Sequence, residues 1–509
     1  MGKSGRFTIK DLILNGDQDP DQHAIESPGY QPLTYRDLRL QIRSVVKSLN
    51  ATGFHRNDRI AIISPPGPET AVCIVAVMAG FTSVPLNAQY KVQEYEDIFS
   101  RLGIRAVIVQ QGGITAATKV AESRSIPLIE MVPSGMAGHF NLLPAVPLLP
   151  GDAEFASETD TAYILLTSGT TGLSKVVPRT QREAAIGWQR NSTLQNITKK
   201  DRCLHIIPYY HGMGINTSLL NPLVAGATVI CTRDFIPSDF IDLLRTSRPT
   251  CYSAGPALNR GILHELRKAL PDELANHSLC YIRVGSGFLP EDLQIELETV
   301  LKVPVINSYG MTETGLIAIN IPPRQGSVGI PVSGSFAIID DKGIPVGPDC
   351  TGEIVVKDEA LFRGYEGEPG ERTAAFMDGW FRTGDTGYLD DEGYLFLTGR
   401  KKELINKGGE KISPEEIDSV LQSHPGVREA MTFPVYDPVL GEDVAAMVVP
   451  ANAQLTETGL RLYLLDRLVQ FKVPGKVYFV TEIPRTPNGK LLRNEGTKQY
   501  SGGGQEGAG

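Results

Sequence analysis

The chain has 509 residues, enough at roughly 100–200 residues per domain for about three units and a large buried core. Lys+Arg 49 against Asp+Glu 58 leaves a net charge of −9, so the molecule as a whole lacks the positive field that draws proteins onto nucleic acid or anionic lipid. Six scattered cysteines without a C-x-x-C pair predict neither a disulfide framework nor a thiolate metal site, which points to a reducing, cytoplasmic setting.

The N-terminal run MGKSGRFTIKDLIL lacks the long apolar core of a signal peptide. Short β-rich runs then alternate with helical stretches: Arg59-Ile-Ala-Ile-Ile, a helix over Pro68 to Gly80, Ser83-Val-Pro-Leu, Ala106-Val-Ile-Val and Ala162-Tyr-Ile-Leu-Leu. Such alternation predicts parallel sheets covered by helices. The apolar run Ala71 to Gly80 is half a bilayer span and reads as a buried helix. Four prolines between Val132 and Asp152 predict a surface connection without a long regular element.

From about Ser335 short strands and turns predict a small antiparallel unit, with Asp391-Glu392-Gly393 as a hairpin turn. Past Gly399-Arg400 the pattern restarts with a strand at Glu403-Leu-Ile, a glycine hairpin and a helix entered through the capping box Ser413-Pro-Glu-Glu416. The expected architecture is therefore α/β. A large N-terminal domain (1–399) holds two helix-covered sheets plus a small β unit. A smaller mobile α+β domain (400–500) follows, and SGGGQEGAG (501–509) is a flexible tail.

The most informative stretch is Leu166-Thr-Ser-Gly-Thr-Thr-Gly-Leu-Ser-Lys175, directly after an apolar strand. Hydroxyls of Thr167, Ser168, Thr170 and Thr171, backbone N–H groups freed by Gly169 and Gly172, and the Lys175 ammonium together suit phosphate oxygens. The spacing is not that of a Walker A loop. Three further segments stand in order behind it: Ser308-Tyr-Gly-Met-Thr-Glu-Thr314, Gly379-Trp-Phe-Arg-Thr-Gly-Asp385 with Gly399-Arg-Lys-Lys-Glu403, and Pro484-Arg-Thr-Pro-Asn-Gly-Lys490.

Together the four motifs resemble the adenylate-forming superfamily of acyl-CoA synthetases, adenylation domains and luciferases, over essentially the whole chain. The resemblance implies an ATP-dependent acid–thiol ligase: a carboxylic acid becomes an acyl-adenylate with release of pyrophosphate, and the acyl group then passes to CoA with release of AMP. It implies ATP, Mg²⁺ and CoA as cofactors, a small carboxylic acid as partner, no nucleic-acid or integral membrane contact, and a monomer or homodimer. By the same resemblance the Thr/Ser/Gly loop holds the β- and γ-phosphates, Thr312 touches the α-phosphate and Glu313 helps hold Mg²⁺. Tyr309 and Gly310 lie at the adenine, which passes close to Gly285, Ser286 and Gly287. Asp385 accepts from the ribose hydroxyls beside Arg400, and Lys490 neutralises charge between carboxylate and α-phosphate. Lys401 takes the hinge position, and Gly408 and Gly409 form the hairpin presented to the thiol arm of CoA.

For the acid itself, His211 in Pro208-Tyr-Tyr-His-Gly-Met-Gly214 matches the family's gate beside the carboxylate. Gly212 stands where amino-acid-activating relatives carry an Asp, and no acidic residue lies between Leu204 and Cys231, so a buried ammonium would lack a counterion. The C-terminal run from Lys402 to Pro414 is similar to the oxalate and 4-coumarate branches, yet Met213 replaces a histidine of the oxalate branch. Tyr210, Met213, Tyr252, Met311 and Gly315 are expected to line a mainly apolar pocket for a short or medium-chain or aryl monocarboxylate. An oxalate-type dicarboxylate, or a carrier protein as acyl acceptor, is the alternative.

Overall fold

The computed structural model describes residues 5–113, 115–144, 153–167, 175–270, 274, 276–367, 375–407, 410–452, 454–486 and 490–501. Among these, two large sheets form the N-terminal part. In the first, the strand order is Phe140–Leu143, Leu128–Pro133, Ala106–Gln110, Arg59–Ile63, Thr82–Pro85, Thr161–Thr167 and Lys175–Thr180. Its five central strands run parallel, and an antiparallel strand closes each edge. The second runs Ile330–Pro331, Gly315–Ile319, Val305–Met311, Tyr281–Val284, Cys251–Ala254, Arg202–His205, Thr228–Cys231, His23–Glu26 and Leu33–Thr34.

The helix Pro68–Gly80 is buried at every position. It carries no polar face because it is enclosed by the first core, where Tyr163 and Trp188 of one sheet and its helices meet Ile215 and Leu219 of the other. The strands read from the sequence are present: Arg59–Ile63 exactly spans its run of five residues, while Thr82–Pro85 begins one residue earlier than read. The Pro-rich segment differs. Phe140–Leu143 is a strand pairing with Leu128–Pro133, since the prolines flank it and leave its own N–H groups intact; residues 145–152 lie outside those described.

A five-stranded antiparallel sheet follows, built from Ser335–Ile339, Gly352–Lys357, Phe376–Met377, Trp380–Leu389 and Leu395–Arg400. The last two are joined by the expected turn, in which Asp390 Oδ1 accepts from the N–H groups of Glu392 and Tyr394 and Gly393 takes φ +83°.

Beyond it a separate core forms in the sheet Glu410–Ile412, Ile405–Lys407, Gly441–Pro450, Val427–Asp437 and Lys476–Phe479. Its first strand begins at Ile405, two residues later than read, because Glu403 and Leu404 donate their N–H groups back to Arg400 O in a turn. The helix Pro414–Gln422 starts with proline in its first turn as expected, but Ser413 is not a capping box. Its hydroxyl donates to Glu415 Oε2 at 2.9 Å and accepts no backbone N–H.

Glu415 is drawn there by Arg493, the buried cation of this lobe. Arg493 meets Asp418 at 2.6 Å, Glu403 at 3.1 Å and Glu415 at 3.6 Å, and donates to Thr432 O. Burial works against the charge of Arg493, yet these carboxylates hold its pKa up, while burial lifts Asp418 to about 6. Removing the guanidinium strands three carboxylates. Arg493→Met is expected to destabilise the C-terminal lobe by about 3–5 kcal/mol, read as an earlier urea transition of that lobe; an unchanged transition would contradict the pairing.

Candidate active site

The phosphate-suited loop leaves and re-enters the first sheet through paired strand ends, Thr167 opposite Lys175. Ser168, Gly169, Thr170, Thr171 and Gly172 lie outside the described residues. Lys175 places its ammonium 4.2 Å from the ring centre of Tyr365, whose hydroxyl donates to Glu313 Oε1 at 2.7 Å. The loop's lysine and the expected metal-holding carboxylate are thus tied through one aromatic residue.

Thr312 and Glu313 sit on a tight reversal. Strands Val305–Met311 and Gly315–Ile319 pair Met311 with Gly315, leaving three residues to turn. Gly315 takes φ +74°, and Thr314 Oγ1 accepts from Met311 N–H. At Gly310 any Cβ would collide with the Gly315 carbonyl, so glycine is required for the strands to approach. Arg179, almost fully buried, donates to the Thr312 carbonyl at 2.9 Å and to the Ala360 carbonyl, clamping the turn from behind.

On the next sheet, Asp385 and Arg400 face each other across paired strands, and Arg400 Nε meets Asp385 Oδ1 at 3.0 Å. Tyr309 donates its hydroxyl to Asp385 Oδ2 at 2.6 Å. Burial raises the Asp385 pKa, opposed by Arg400 and Tyr309. Burial also pushes the Tyr309 phenol well up, so it stays a donor. The carboxylate is thereby fixed in place before any ribose arrives. Lys401 donates its N–H to Gly384 O and sets its ammonium 3.0 Å from Asp341 and 3.3 Å from Glu353.

Gly285, Ser286 and Gly287 follow the strand Tyr281–Val284, with Ser286 at φ +60°, a conformation uncommon for serine and frequent at binding sites. A Cβ on Gly285 would stand 2.9 Å from Met213 Cε, so Met213 packs on this glycine. His211 lies under Tyr210, ring centres 4.6 Å apart. Lost hydration, aided by the charge of Lys490, brings His211 down to about 4. Met311 is partly buried against the core of the third sheet. Tyr252, read as pocket lining, is instead 1% exposed, edge-on to Phe240, with its hydroxyl on Asn259. Its strand is central in the sheet, so its side chain is enclosed by helices.

Lys490 belongs to the C-terminal lobe. Arg485 pairs with Leu491, and Thr486 Oγ1 accepts from Lys490 N–H at 3.1 Å. Its ammonium lies within charge range of Arg400, Glu313, Asp385 and His211. Lost hydration and then Arg400 lower its pKa, while Glu313, Asp385 and Glu403 act the other way. Gly408 and Gly409 lie outside the described residues, between paired Lys407 and Glu410.

The sequence reading missed Tyr365, Arg179 and Asn216, the last accepting from Trp188 at 2.7 Å and Tyr163 at 3.1 Å. Tyr365 had a local signal in Gly364-Tyr365-Glu366, but its partner Glu313 is 52 residues away.

Among the described residues no group of three or more His, Cys, Asp or Glu could cage a metal ion. Glu313 would supply Mg²⁺ with one hard oxygen ligand, the kind this ion prefers. No helix of the described residues is long and apolar enough to cross a membrane.

The profile of the AMP-binding enzymes matches residues 14–366, and that of the AMP-binding enzyme C-terminal domain matches 416–490. The Humulus lupulus protein named "Probable CoA ligase CCL9" is 34% identical, covering 93% of this chain and 92% of its own. The oxalate–CoA ligase of Arabidopsis thaliana is 32% identical over 96% of this chain and 97% of its own. The crystal structure of ATP-bound MatB from Rhodopseudomonas palustris superposes with a TM-score of 0.87 at 27% identity, covering 97% and 98% of the two chains.

Because His211 is kept neutral, its imidazole in the free protein is expected to titrate near 4 by NMR, below the ordinary 6.5. It would then contribute no charge change between pH 5 and 8, and a midpoint above 6 would contradict its seclusion. With motifs, geometry and likeness in agreement, the chain belongs to the AMP-binding enzyme family, among its acyl-CoA synthetases.

Proposed function

We propose that this enzyme activates a short or medium-chain or aryl monocarboxylate as its acyl-adenylate and transfers the acyl group to CoA. The observation that carries the reading is the convergence of Lys490, Arg400 and Asp385 beside the Thr312–Glu313 reversal. A carboxylate approaching the α-phosphate of ATP brings two anions together, and this site sets cations and donors where that charge develops. In this reading Asp385 holds the ribose, Tyr309 and the Gly285–Gly287 turn flank the base, and Lys175 with the preceding loop grips the outer phosphates. Thr312 donates to the α-phosphate, and Lys490 bridges carboxylate and phosphate. Mg²⁺, held by phosphate oxygens and Glu313, would neutralise further phosphate charge.

Tyr210, neutral His211 and Met213 make a mainly apolar entrance, which supports a monocarboxylate. The likeness to an oxalate–CoA ligase favours a small dicarboxylate as the second reading; Met213 on Gly285, where a cation or polar donor would serve that second charge, argues against it. After adenylation the lobe from about residue 400 turns, withdrawing Lys490 and bringing Gly408 and Gly409 to the thiol. That motion must release the Lys401 ion pairs to Asp341 and Glu353 or pivot just beyond them.

Lys490→Ala is expected to reduce acid-dependent ATP–pyrophosphate exchange by roughly 10²–10³ while leaving thioester formation from preformed acyl-adenylate nearly intact; equal loss in both assays would refute the division of labour. A panel of carboxylic acids with ATP and Mg²⁺, followed for AMP release with and without CoA, tests the whole reading. CoA-dependent turnover of monocarboxylates is expected, and exchange with free amino acids is not; robust exchange with an amino acid would overturn the choice of acid.

A further inference from the structure

Next to the proposed reaction centre lies an opening that the apolar reading of the acid pocket does not use. Gly212 follows His211 in ordinary right-handed helical geometry, φ −54° and ψ −39°, so no backbone demand calls for glycine here. A Cβ placed on it would stand 3.7 Å from Thr312 Oγ1, 3.9 Å from Asn216 Nδ2 and 3.9 Å from Leu165 Cδ1. The absent side chain therefore leaves a niche about one methyl group deep, and two of its three nearest neighbours are polar.

The orientation of Asn216 gives that niche a chemical sign. An indole N–H can only donate, so the atom accepting from Trp188 Nε1 at 2.7 Å must be the amide oxygen. Tyr163 donates to the same oxygen at 3.1 Å. With the oxygen twice engaged, the NH₂ group is turned the other way, toward Gly212 and Thr312, and it has no acceptor among the described residues. Asn216 also sits in a helical segment wound with wide turns, where Asn221 N–H reaches back to Asn216 O, a winding frequent at functional sites. An amide donor held from behind in one orientation is ready for an acceptor that enters the niche.

We infer that Gly212 and Asn216 form a subsite for an uncharged hydrogen-bond acceptor on the carbon next to the acid's carboxyl group, making the preferred substrates 2-oxygenated monocarboxylates such as 2-hydroxy or 2-oxo acids. Thr312, the proposed α-phosphate contact, borders the niche, so an atom lodged there belongs to the first carbons of the acid and not to its far end. The donors Asn216 and Thr312 are neutral, and His211 is uncharged, which suits a hydroxyl or carbonyl oxygen better than a second carboxylate. The inference rests on the acid-activating reading above and refines its substrate.

Pyrophosphate exchange measured as kcat/KM tests it on matched acids: lactate and pyruvate against propionate, mandelate and phenylglyoxylate against phenylacetate, with oxalate as a charged comparison. The wild type is expected to favour an oxygenated acid over its plain counterpart by about tenfold or more in at least one set. Gly212→Ala, whose methyl fills the niche without a clash, and Asn216→Leu, which removes the donor, are each expected to bring that ratio close to one. Thermal melting identifies a variant that has failed to fold. Should Asn216→Leu do so through loss of the Trp188 and Tyr163 bonds, Gly212→Ala alone decides. Equal use of plain and oxygenated acids by the wild type, a ratio untouched by Gly212→Ala, or preference for oxalate over all the monocarboxylates would overturn the inference while leaving acid activation standing. Absence of exchange with every acid would instead remove the activation reading itself.

Discussion

The arrangement depends on a lysine stripped of water. Lost hydration lowers the pKa of Lys490 first and the nearby Arg400 lowers it further, while Glu313, Asp385 and Glu403 act the other way. Asp385 is already committed to Arg400 and Tyr309, and Glu313 to Tyr365. Little is therefore left to replace the water that Lys490 has lost, and phosphate and carboxylate oxygens entering beside it would supply that missing stabilisation.

Every other feature of the fold places those groups. The antiparallel reversal at Thr312–Thr314 stands where two strands of the nine-stranded sheet end, and Arg179, from the edge strand of the other large sheet, clamps it. The five-stranded sheet supplies Asp385 and Arg400 as a cross-strand pair, so their contact is a matter of register and needs no flexible loop. Lys490 comes from the far end of the C-terminal lobe, whose buried Arg493 ties the stretch around Glu403 to the segment just beyond Lys490. The start of the lobe and the segment that follows Lys490 are thus joined through one buried guanidinium.

Much of this was legible in the amino-acid order because it is local. Alternating apolar runs gave the parallel strands, an all-apolar stretch gave the enclosed helix Pro68–Gly80, and motif spacing singled out Asp385 and Lys490, which the fold brings near one another. What escaped is what depends on distant partners. Tyr365 looks like any core tyrosine until its hydroxyl is found on Glu313, and Asn216 looks like a polar residue in an apolar helix until Trp188 and Tyr163 are seen to orient it. Ser413 shows the converse. A correct capping pattern was overridden because Glu415 was claimed by the Arg493 cluster and took the serine hydroxyl with it. Tyr252 differs from the reading for a related reason: its ring is taken up by Phe240 and its hydroxyl by Asn259, a partner seven residues on.

The central claim is that Lys490 sits in the nucleotide site with its charge depressed and is restored by the incoming phosphates. Calorimetry of Mg–ATP binding in buffers of different ionisation enthalpy, at alkaline pH below the ordinary lysine value of 10.5, reads this directly. Because a pKa that is lowered in the free protein rises in the complex, wild-type enzyme should take up protons as it binds, and Lys490→Met should not. Equal proton uptake in the two proteins, or none in the wild type, would contradict the account.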